Sequence, residues 1–511
     1  MTDASAGNRE RRVGAGIPGL DYILGGGFPE NHLYLIEGDP GTGKTTLALQ
    51  WLLEGRRHGE TGLYVTLSES KNELCAVAAS HGWSLEGIGL FELNSLEERL
   101  QGEDQYTVFH PAEVELSETT KRICELVNTT QPSRVVFDSL SEMRLLARDP
   151  LRYRRQVLAL KQFFAGRKCT VILLDDRTSE ETDLQLQSIS HGVVLLERLS
   201  VEYGGARRRL TVSKMRGLQF REGYHDFSIE QGGLVVYPRL VASQHRQDQA
   251  LAPTPRRAAL SGIQALDSLL GGGIHYGTST LVMGPAGSGK STLVTQYAET
   301  LARHGEKVVC YVFEETRENF LERAQGLGMD LSSHLESGHI VVEQIDPAEI
   351  SPGQFAHKVR SAAEDGDARV VIIDSMNGYL NAMPSESFLL IQMHELLVFL
   401  NERGVLTLMV LAQHGLMGTS MQSPVDVTYL ADTVILLRYF EAFGEVKQAI
   451  AVIKKRTGGH ERLIREFHIT SAGVEIGQPL QEFEGVLTGV PVYKGKRENL
   501  LSPSYAQLTP Q

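Results

Sequence analysis

A phosphate-binding loop pattern occurs twice in this chain, and the two copies are in register. Residues 38–45 read GDPGTGKT and residues 284–291 read GPAGSGKS, so both satisfy G-x-x-x-x-G-K-[ST]. Each follows a short apolar run (33–36 and 280–283) and precedes a helix-like stretch, the setting such a loop requires. Glycines let the backbone bend so that successive N–H groups point inward at phosphate oxygens, and the helix N-terminus adds partial positive charge. The residues expected to bind ATP are Gly38, Asp39, Pro40, Gly41, Thr42, Gly43, Lys44, Thr45 and Thr46 in the first copy. In the second they are Gly284, Pro285, Ala286, Gly287, Ser288, Gly289, Lys290, Ser291 and Thr292. Lys44 and Lys290 are expected to reach the β- and γ-phosphates, and Thr45 and Ser291 to hold Mg²⁺. One glycine-lysine turn can arise by chance; two in matching contexts argue against chance.

The repeat extends beyond the loops. Residues 16–32 (GIPGLDYILGGGFPENH) match residues 262–278 (GIQALDSLLGGGIHYGT). An offset of 246 relates Lys44 to Lys290, Asp21 to Asp267, the triple glycine at 25–27 to that at 271–273, and Glu69 to Glu315. A period this long means two whole domains rather than a solenoid of small units, and 511 residues are too many for one core. We expect a disordered N-terminus at 1–12, a first domain at 13–242, a linker at 243–258, a second domain at 259–488 and a flexible tail at 489–511. Strand candidates are 33–37, 62–67, 134–138, 170–175, 193–199 and 208–214, then 279–283, 307–313, 369–373, 405–412, 433–439 and 448–454. Apolar runs separated by helical stretches signal an α/β fold with a mainly parallel sheet covered on both faces. The last two strands of each half, joined by short polar turns, suggest an antiparallel extension.

Composition removes several classes. A net charge of −13 and a pI near 5.7 make nucleic acid an unlikely partner. Cys75, Cys124, Cys169 and Cys310 are scattered without a C-x-x-C pair, which points to small apolar core residues in a reducing compartment. The first dozen residues lack the apolar core of a signal peptide. No run of about 18 apolar residues appears, so no membrane span and a cytoplasmic location are expected.

Phosphoryl chemistry needs an acidic group for the Mg²⁺ shell, usually at the end of a buried strand. The runs 134–138 (RVVFD) and 369–374 (RVVIID) end in Asp138 and Asp374, each followed by a serine (Ser139, Ser375). A strand-ending aspartate is often no more than a cap, but the upstream P-loop favours the metal role. A carboxylate must also orient or deprotonate the nucleophile. Leu67-Ser68-Glu69 and Phe313-Glu314-Glu315 follow the next strand in each half. Adjacent carboxylates beside a nucleotide are expected to raise each other's pKa and make one a competent base; the alternative is a solvated pair. The catalytic candidates are therefore Glu69, Glu314, Glu315, Lys44 and Lys290, with Ser68 making the two sites inequivalent. Each half ends a late strand with a basic cluster, Lys214-Met215-Arg216-Gly217 and Lys454-Lys455-Arg456-Thr457. Such clusters are usually a solvated face, yet their recurrence suits cations offered to a neighbouring subunit's γ-phosphate.

The G-[IF]-x-x-L-D-x-x-L-G-G-G segment, P-loop, Glu-bearing strand, V-V-x-D strand and K-x-R-G-like end, repeated in tandem, resemble the KaiC family over about residues 13–490. Residues 431–439 (ADTVILLRY), Gly444-Glu445 and 464–467 (IREF) carry the resemblance to its C-terminal domain. The resemblance implies two tandem RecA-like domains, a homohexamer with ATP and Mg²⁺ at subunit interfaces, and a clock or signalling role with protein partners. It implies slow hydrolysis to ADP in the first ring and serine/threonine autokinase activity in the second. The family's phosphoacceptors are an adjacent Ser-Thr pair just before the aspartate that leads into the T-[IV]-I-L-L strand. Here the pair is Thr428 and Tyr429, a departure at both positions. Ser423 falls near a further family hydroxyl but is followed by Pro424. By the same resemblance Glu314 is the kinase base with Glu315 beside it. Lys214 and Arg216 are trans cations in the first ring, and Lys454 and Arg456 in the second. If the position of Ser68 carries the main base, first-ring hydrolysis is slowed or Glu69 takes over.

Two other classes remain open to the sequence. A RecA-like DNA-dependent ATPase predicts basic DNA-facing loops, which the acidic balance and the absence of a basic-aromatic run disfavour. A ring scaffold that binds ATP without kinase activity is conceivable for the first half, given Ser68. The intact Glu314-Glu315 pair and Asp374 argue against it for the second.

Overall fold

The computed structural model describes residues 11–93, 111–147, 149–177, 184–200, 204–241, 257–381, 388–413, 415, 427–488 and 491–495. The chain divides into two compact units, Met1–Arg239 and Leu240–Gln511. Each is built on a nine-stranded sheet of the same layout.

In the first unit six parallel strands run in the order Gly192–Leu199, Leu33–Gly38, Thr170–Asp176, Arg134–Asp138, Gly62–Thr66 and Ile88–Glu92. Beyond Gly192–Leu199 lie three antiparallel strands, Arg207–Met215, His225–Glu230 and Gly233–Tyr237. In the second unit the parallel order is Thr433–Ala442, Ser279–Gly284, Leu406–Ala412, Val370–Asp374, Val308–Val312 and Ile340–Gln344. Glu445–Lys455, Arg465–Thr470 and Gly473–Pro479 continue that sheet antiparallel. The structure thus shows the α/β architecture expected, two tandem RecA-like cores.

Successive residues of a strand face opposite sides, so each apolar run feeds two cores. Leu33 and Leu35 pack in one cluster with Val135 and Phe137, while Tyr34 and Ile36 pack in the other with Val136 and Ile172. In the second unit Val308, Cys310 and Val312 face one cluster and Val309 and Tyr311 the other. Parallel strands need both faces covered, and the helices Lys44–Arg57 and Lys290–Arg303 after the P-loops supply part of that cover.

The twelve expected strands are present, and each nine-stranded sheet adds three that the apolar runs did not reveal. Ile88–Glu92 and Ile340–Gln344 are edge strands, and the hairpins His225–Glu230 with Gly233–Tyr237 and Arg465–Thr470 with Gly473–Pro479 mix polar with apolar residues. One covered face leaves no continuous apolar run to find. Part of the segment taken as a tail is docked: Val492–Tyr493 pairs with Phe483–Glu484. Arg12–Val13 and Ala258–Ala259 pair with Phe28–Pro29 and Ile274–His275, so the segments expected as N-terminus and linker end inside strands. The rest of those segments lies outside the described residues. Cys169 and Cys310 are buried as expected, but Cys75 is exposed on the outer side of the helix Lys71–Ser80, and Cys124 is half-buried. Among the described residues no helix is long and apolar enough to cross a membrane.

Candidate nucleotide sites and acceptor region

Both P-loops sit at the carboxyl ends of parallel strands, where crossovers leave a crevice. Each loop ends in a left-handed glycine that opens the next helix, Gly43 with φ 104° and Gly289 with φ 93°. A β-carbon at Gly43 would stand 2.7 Å from Ile229 Cδ1, and one at Gly289 would stand 2.8 Å from Phe467 Cε1. The antiparallel hairpins therefore press on the loops, and only glycine satisfies both the backbone and the packing.

In the first site Lys44, 8% exposed, donates to the Gly38 carbonyl at 2.7 Å and the Asp39 carbonyl at 3.0 Å. Its Nζ also lies 2.6 Å from Asp176 Oδ1. Thr45 Oγ1 donates to Asp138 Oδ2 at 3.4 Å, and the Tyr64 hydroxyl donates to the same oxygen. Burial raises the Asp138 pKa, opposed by the Tyr64 hydrogen bond and the Lys44 charge. Glu69 follows the strand Gly62–Thr66 in a turn fixed by Thr66, whose hydroxyl donates to the Glu69 carbonyl and accepts from its N–H. A capping box at Ser70 and Glu73 then starts the helix Lys71–Ser80. Glu69 Oε2 is buried without a hydrogen-bond partner, and burial raises its pKa, helped by the charges of Asp138, Glu73 and Asp176. Ser68 is exposed.

The second site is wired differently. Lys290 donates to the Pro285 carbonyl at 2.7 Å, and burial lowers its pKa against the opposing charges of Asp374 and Glu314. Ser375 Oγ donates to Glu314 Oε1 at 2.6 Å. Glu315 receives a forked pair from Arg323, Nη2 to Oε1 at 2.7 Å and Nε to Oε2 at 3.3 Å. The two neighbouring glutamates thus have separate partners, unlike the mutually coupled pair expected from their adjacency. The Thr316 side chain caps the following helix by accepting from Asn319 N–H. Asp374 is buried, its pKa pushed up to about 6 by burial, with the Ser291 hydroxyl opposing. Its Oδ2 has no hydrogen-bond partner. A hydroxyl and a buried carboxylate with an unsatisfied oxygen fit a hard divalent cation. Among the described residues no three His, Cys, Asp or Glu form an all-protein cage. A cation here would share its shell with phosphate and water, as Mg²⁺ does.

The structure does not bring the basic clusters, or Thr428 and Tyr429 expected as acceptors, to the P-loop of their own unit. Lys214 pairs with Val193, and the next pair, Met215 with Gly192, lies level with Tyr34, near the start of the P-loop strand rather than its end at Gly38. Lys214 and Arg216 instead donate to the Gln187 and Ser188 carbonyls at 2.6 and 2.7 Å. In the second unit Lys454 pairs with Val434 and Lys455 with Thr433, which is level with Thr280, again the starting end of the P-loop strand. Lys454 donates to the carbonyls of Thr428 and Ala431, and Arg456 to that of Tyr429. Tyr429 is 52% exposed. Thr428, Tyr429, Lys454 and Arg456 thus form one region, and Glu314 and Lys290 lie at the other end of the sheet. Ser423 lies outside the described residues.

A family model for the KaiC ATPase matches residues 13–241 and again residues 259–481. The chain belongs to the KaiC ATPase family. It is 27% identical over 500 residues to a circadian clock protein KaiC3 of Synechocystis, covering 95% of this chain and 96% of that one. It is 26% identical to a circadian clock oscillator protein KaiC of Acaryochloris marina, over 93% of this chain and 90% of that one. It is 27% identical to one of Thermostichus vulcanus, over 94% and 92%.

Three residues of this KaiC-family chain escaped sequence reasoning. Asp176 ends the run 170–176 (TVILLDD), and its signal is the same apolar strand followed by an acid that marks Asp138. Arg323 has no local signal, because it meets Glu315 eight positions away across a turn and helix. Tyr64 lies within an apolar strand run, and only the fold aims its hydroxyl at Asp138. The repeat does not share these features: at the 246-residue offset Tyr64 matches Cys310, and Arg323 matches Val77.

Proposed function

We propose that this chain is a Mg²⁺-dependent, KaiC-like ATPase. Its second domain (259–488) is also an autokinase that modifies Thr428 or Tyr429 of a neighbouring copy. It works as a homohexamer in the cytoplasm, within a clock or signalling system of other proteins. The first domain (13–242) hydrolyses ATP to ADP. The observation that carries the reading is that Lys290, Ser291, Asp374 and Glu314 converge at one end of the second sheet while Thr428 and Tyr429 lie at the other. Acceptor and chemistry in one subunit therefore need a second copy to meet.

Lys290 and the inward N–H groups of 284–291 bind the phosphates. Ser291 and Asp374 would hold Mg²⁺, which would supply charge neutralisation on the β- and γ-phosphates. Glu314, oriented by Ser375, takes the proton of the acceptor hydroxyl as that oxygen bonds to the γ-phosphorus and the bond to the β-phosphate oxygen breaks, releasing ADP. Arg323 holds Glu315 aside as an ion pair. Lys454 and Arg456 of one copy reach the phosphates held by another. In the first site Glu69 serves water in place of a hydroxyl.

Phosphopeptide mass spectrometry after incubation with Mg-ATP tests this. Phosphate on Thr428 or Tyr429 is expected in the native chain and none in Glu314→Gln. Unmodified native peptides alongside ADP release would remove the kinase half of the reading and leave an ATPase ring.

A further inference from the structure

The two sites place their acids differently at matched positions. In the second unit the turn after Val308–Val312 carries Glu314, and the strand beside the P-loop strand ends at Ala412, level with Gly284. In the first unit the turn carries Ser68, and the corresponding strand ends at Asp176, level with Gly38. The first site thus has a serine where the second has a turn glutamate, and an aspartate where the second has a strand-end alanine, on the strand between the P-loop strand and Arg134–Asp138.

Both acids bear on the P-loop lysine through their charge. Glu314 is one of two carboxylates whose charge reaches Lys290. Asp176 goes further and forms a direct ion pair with Lys44 at 2.6 Å. Its other oxygen accepts from Ser141 Oγ at 3.3 Å, so the carboxylate is held from two sides. With the Gly38 and Asp39 carbonyls, it takes all three ammonium protons of Lys44. Asp176 is only 27% exposed, so water screens the pair weakly. Phosphate oxygens reaching Lys44 must take the place of one of these three acceptors, of which Asp176 alone is a carboxylate.

We propose that Asp176 is the positioning carboxylate of the first site, standing in for the acid that Ser68 lacks. It holds Lys44 in place before nucleotide binds, competes with nucleotide phosphates for that lysine, and so weakens the hold on ADP after turnover. It adds no step to the reaction and touches the nucleotide only through Lys44. The proposal rests on the reading that the first domain binds and hydrolyses ATP.

The test uses the full chain with Lys290→Ala, which confines tight nucleotide binding to the first site. The affinity of a fluorescent ADP analogue and the ATP turnover rate are measured for this background, for Asp176→Asn, and for Asp176→Asn with Ser68→Glu. Asp176→Asn is nearly isosteric and keeps an acceptor for Ser141, and a thermal melt confirms folding. ADP is expected to bind about tenfold more tightly in Asp176→Asn, with turnover reduced because product leaves slowly. A structural defect would move affinity the other way. Ser68→Glu should reverse the gain, since Ser139 stands where Ser375 holds Glu314. Unchanged or weakened ADP affinity in Asp176→Asn overturns the proposal, as does a gain that Ser68→Glu leaves intact. ADP binding is read without turnover, so a first site that binds but never hydrolyses would defeat the ATPase reading and leave the role of Asp176 still decided by affinity.

Discussion

Asp175 shows what burial does to a single acid beside the first site. Its Oδ2 lies 2.6 Å from Arg144 Nη2, its Oδ1 has no partner, and burial pushes its pKa up to about 6 despite the arginine. The folded value is above the unfolded one, so between about pH 4 and 6 the native state binds more protons than the unfolded state. Stability contributed by this group is therefore greatest in acid and falls as pH rises through that window, by up to about 3 kcal/mol for a shift of roughly two units. Asp175→Asn has no such slope. Urea unfolding of both proteins from pH 4 to 7 should show their stability difference moving in the asparagine variant's favour as pH rises, then levelling off. A difference that stays flat across the window would mean that Asp175 ionises normally. Nothing in the residue pattern distinguishes Asp175 from Asp176. Burial separates them, and burial is a property of the sheet rather than of the dipeptide.

At the scale of elements, the antiparallel hairpins act as braces for the P-loops. Phe467 and Ile469 of Arg465–Thr470 reach Gly289, and Ile229 and Leu234 reach Gly43. Gly289→Ala would place a β-carbon in left-handed backbone (φ 93°) and 2.5 Å from Ile469 Cδ1. Strain and overpacking together should cost about 1–3 kcal/mol. The expected result is a lower urea midpoint with nucleotide binding lost at the second site and kept at the first. A variant as stable and as competent as the native chain would mean that the hairpin does not constrain the loop. The parallel strands were legible because burial on both faces leaves continuous apolar runs such as 170–174 and 370–373. The hairpin strands were not, since His225–Glu230 and Arg465–Thr470 are polar on much of their outer surface.

Over the whole molecule, two P-loop sites share one chain, and the basic clusters at 214–216 and 454–456 lie near the opposite end of each P-loop strand. From Thr280 to Gly284 the P-loop strand spans roughly 13 Å, and Thr428, Tyr429, Lys454 and Arg456 cluster at the start of that span. Lys290→Ala chains mixed with Thr428→Ala/Tyr429→Phe chains before assembly should gain phosphate on the Lys290→Ala partner alone. A mixture that stays unmodified, beside a native control that is modified, would place transfer within one subunit. The glutamate pair teaches the same lesson about distance. Adjacency in sequence suggested that Glu314 and Glu315 would couple, but the turn sends one to Ser375 and the other to Arg323.

The sequence by itself determined the duplication, the two P-loops, the strand-ending Asp138 and Asp374, and membership of an α/β class. These depend on local patterns, since loop glycines, apolar runs and a 246-residue period need no knowledge of what lies across the sheet. Only the tertiary structure decided which groups meet. Asp176 reaches Lys44 because two strands far apart in the chain lie side by side, and Tyr64 reaches Asp138 for the same reason. The basic clusters, Thr428 and Tyr429 lie away from their own P-loops because the antiparallel strand returns to the end of the sheet where the P-loop strand starts. Strand order and direction are long-range properties, and a reading of neighbours along the chain does not contain them.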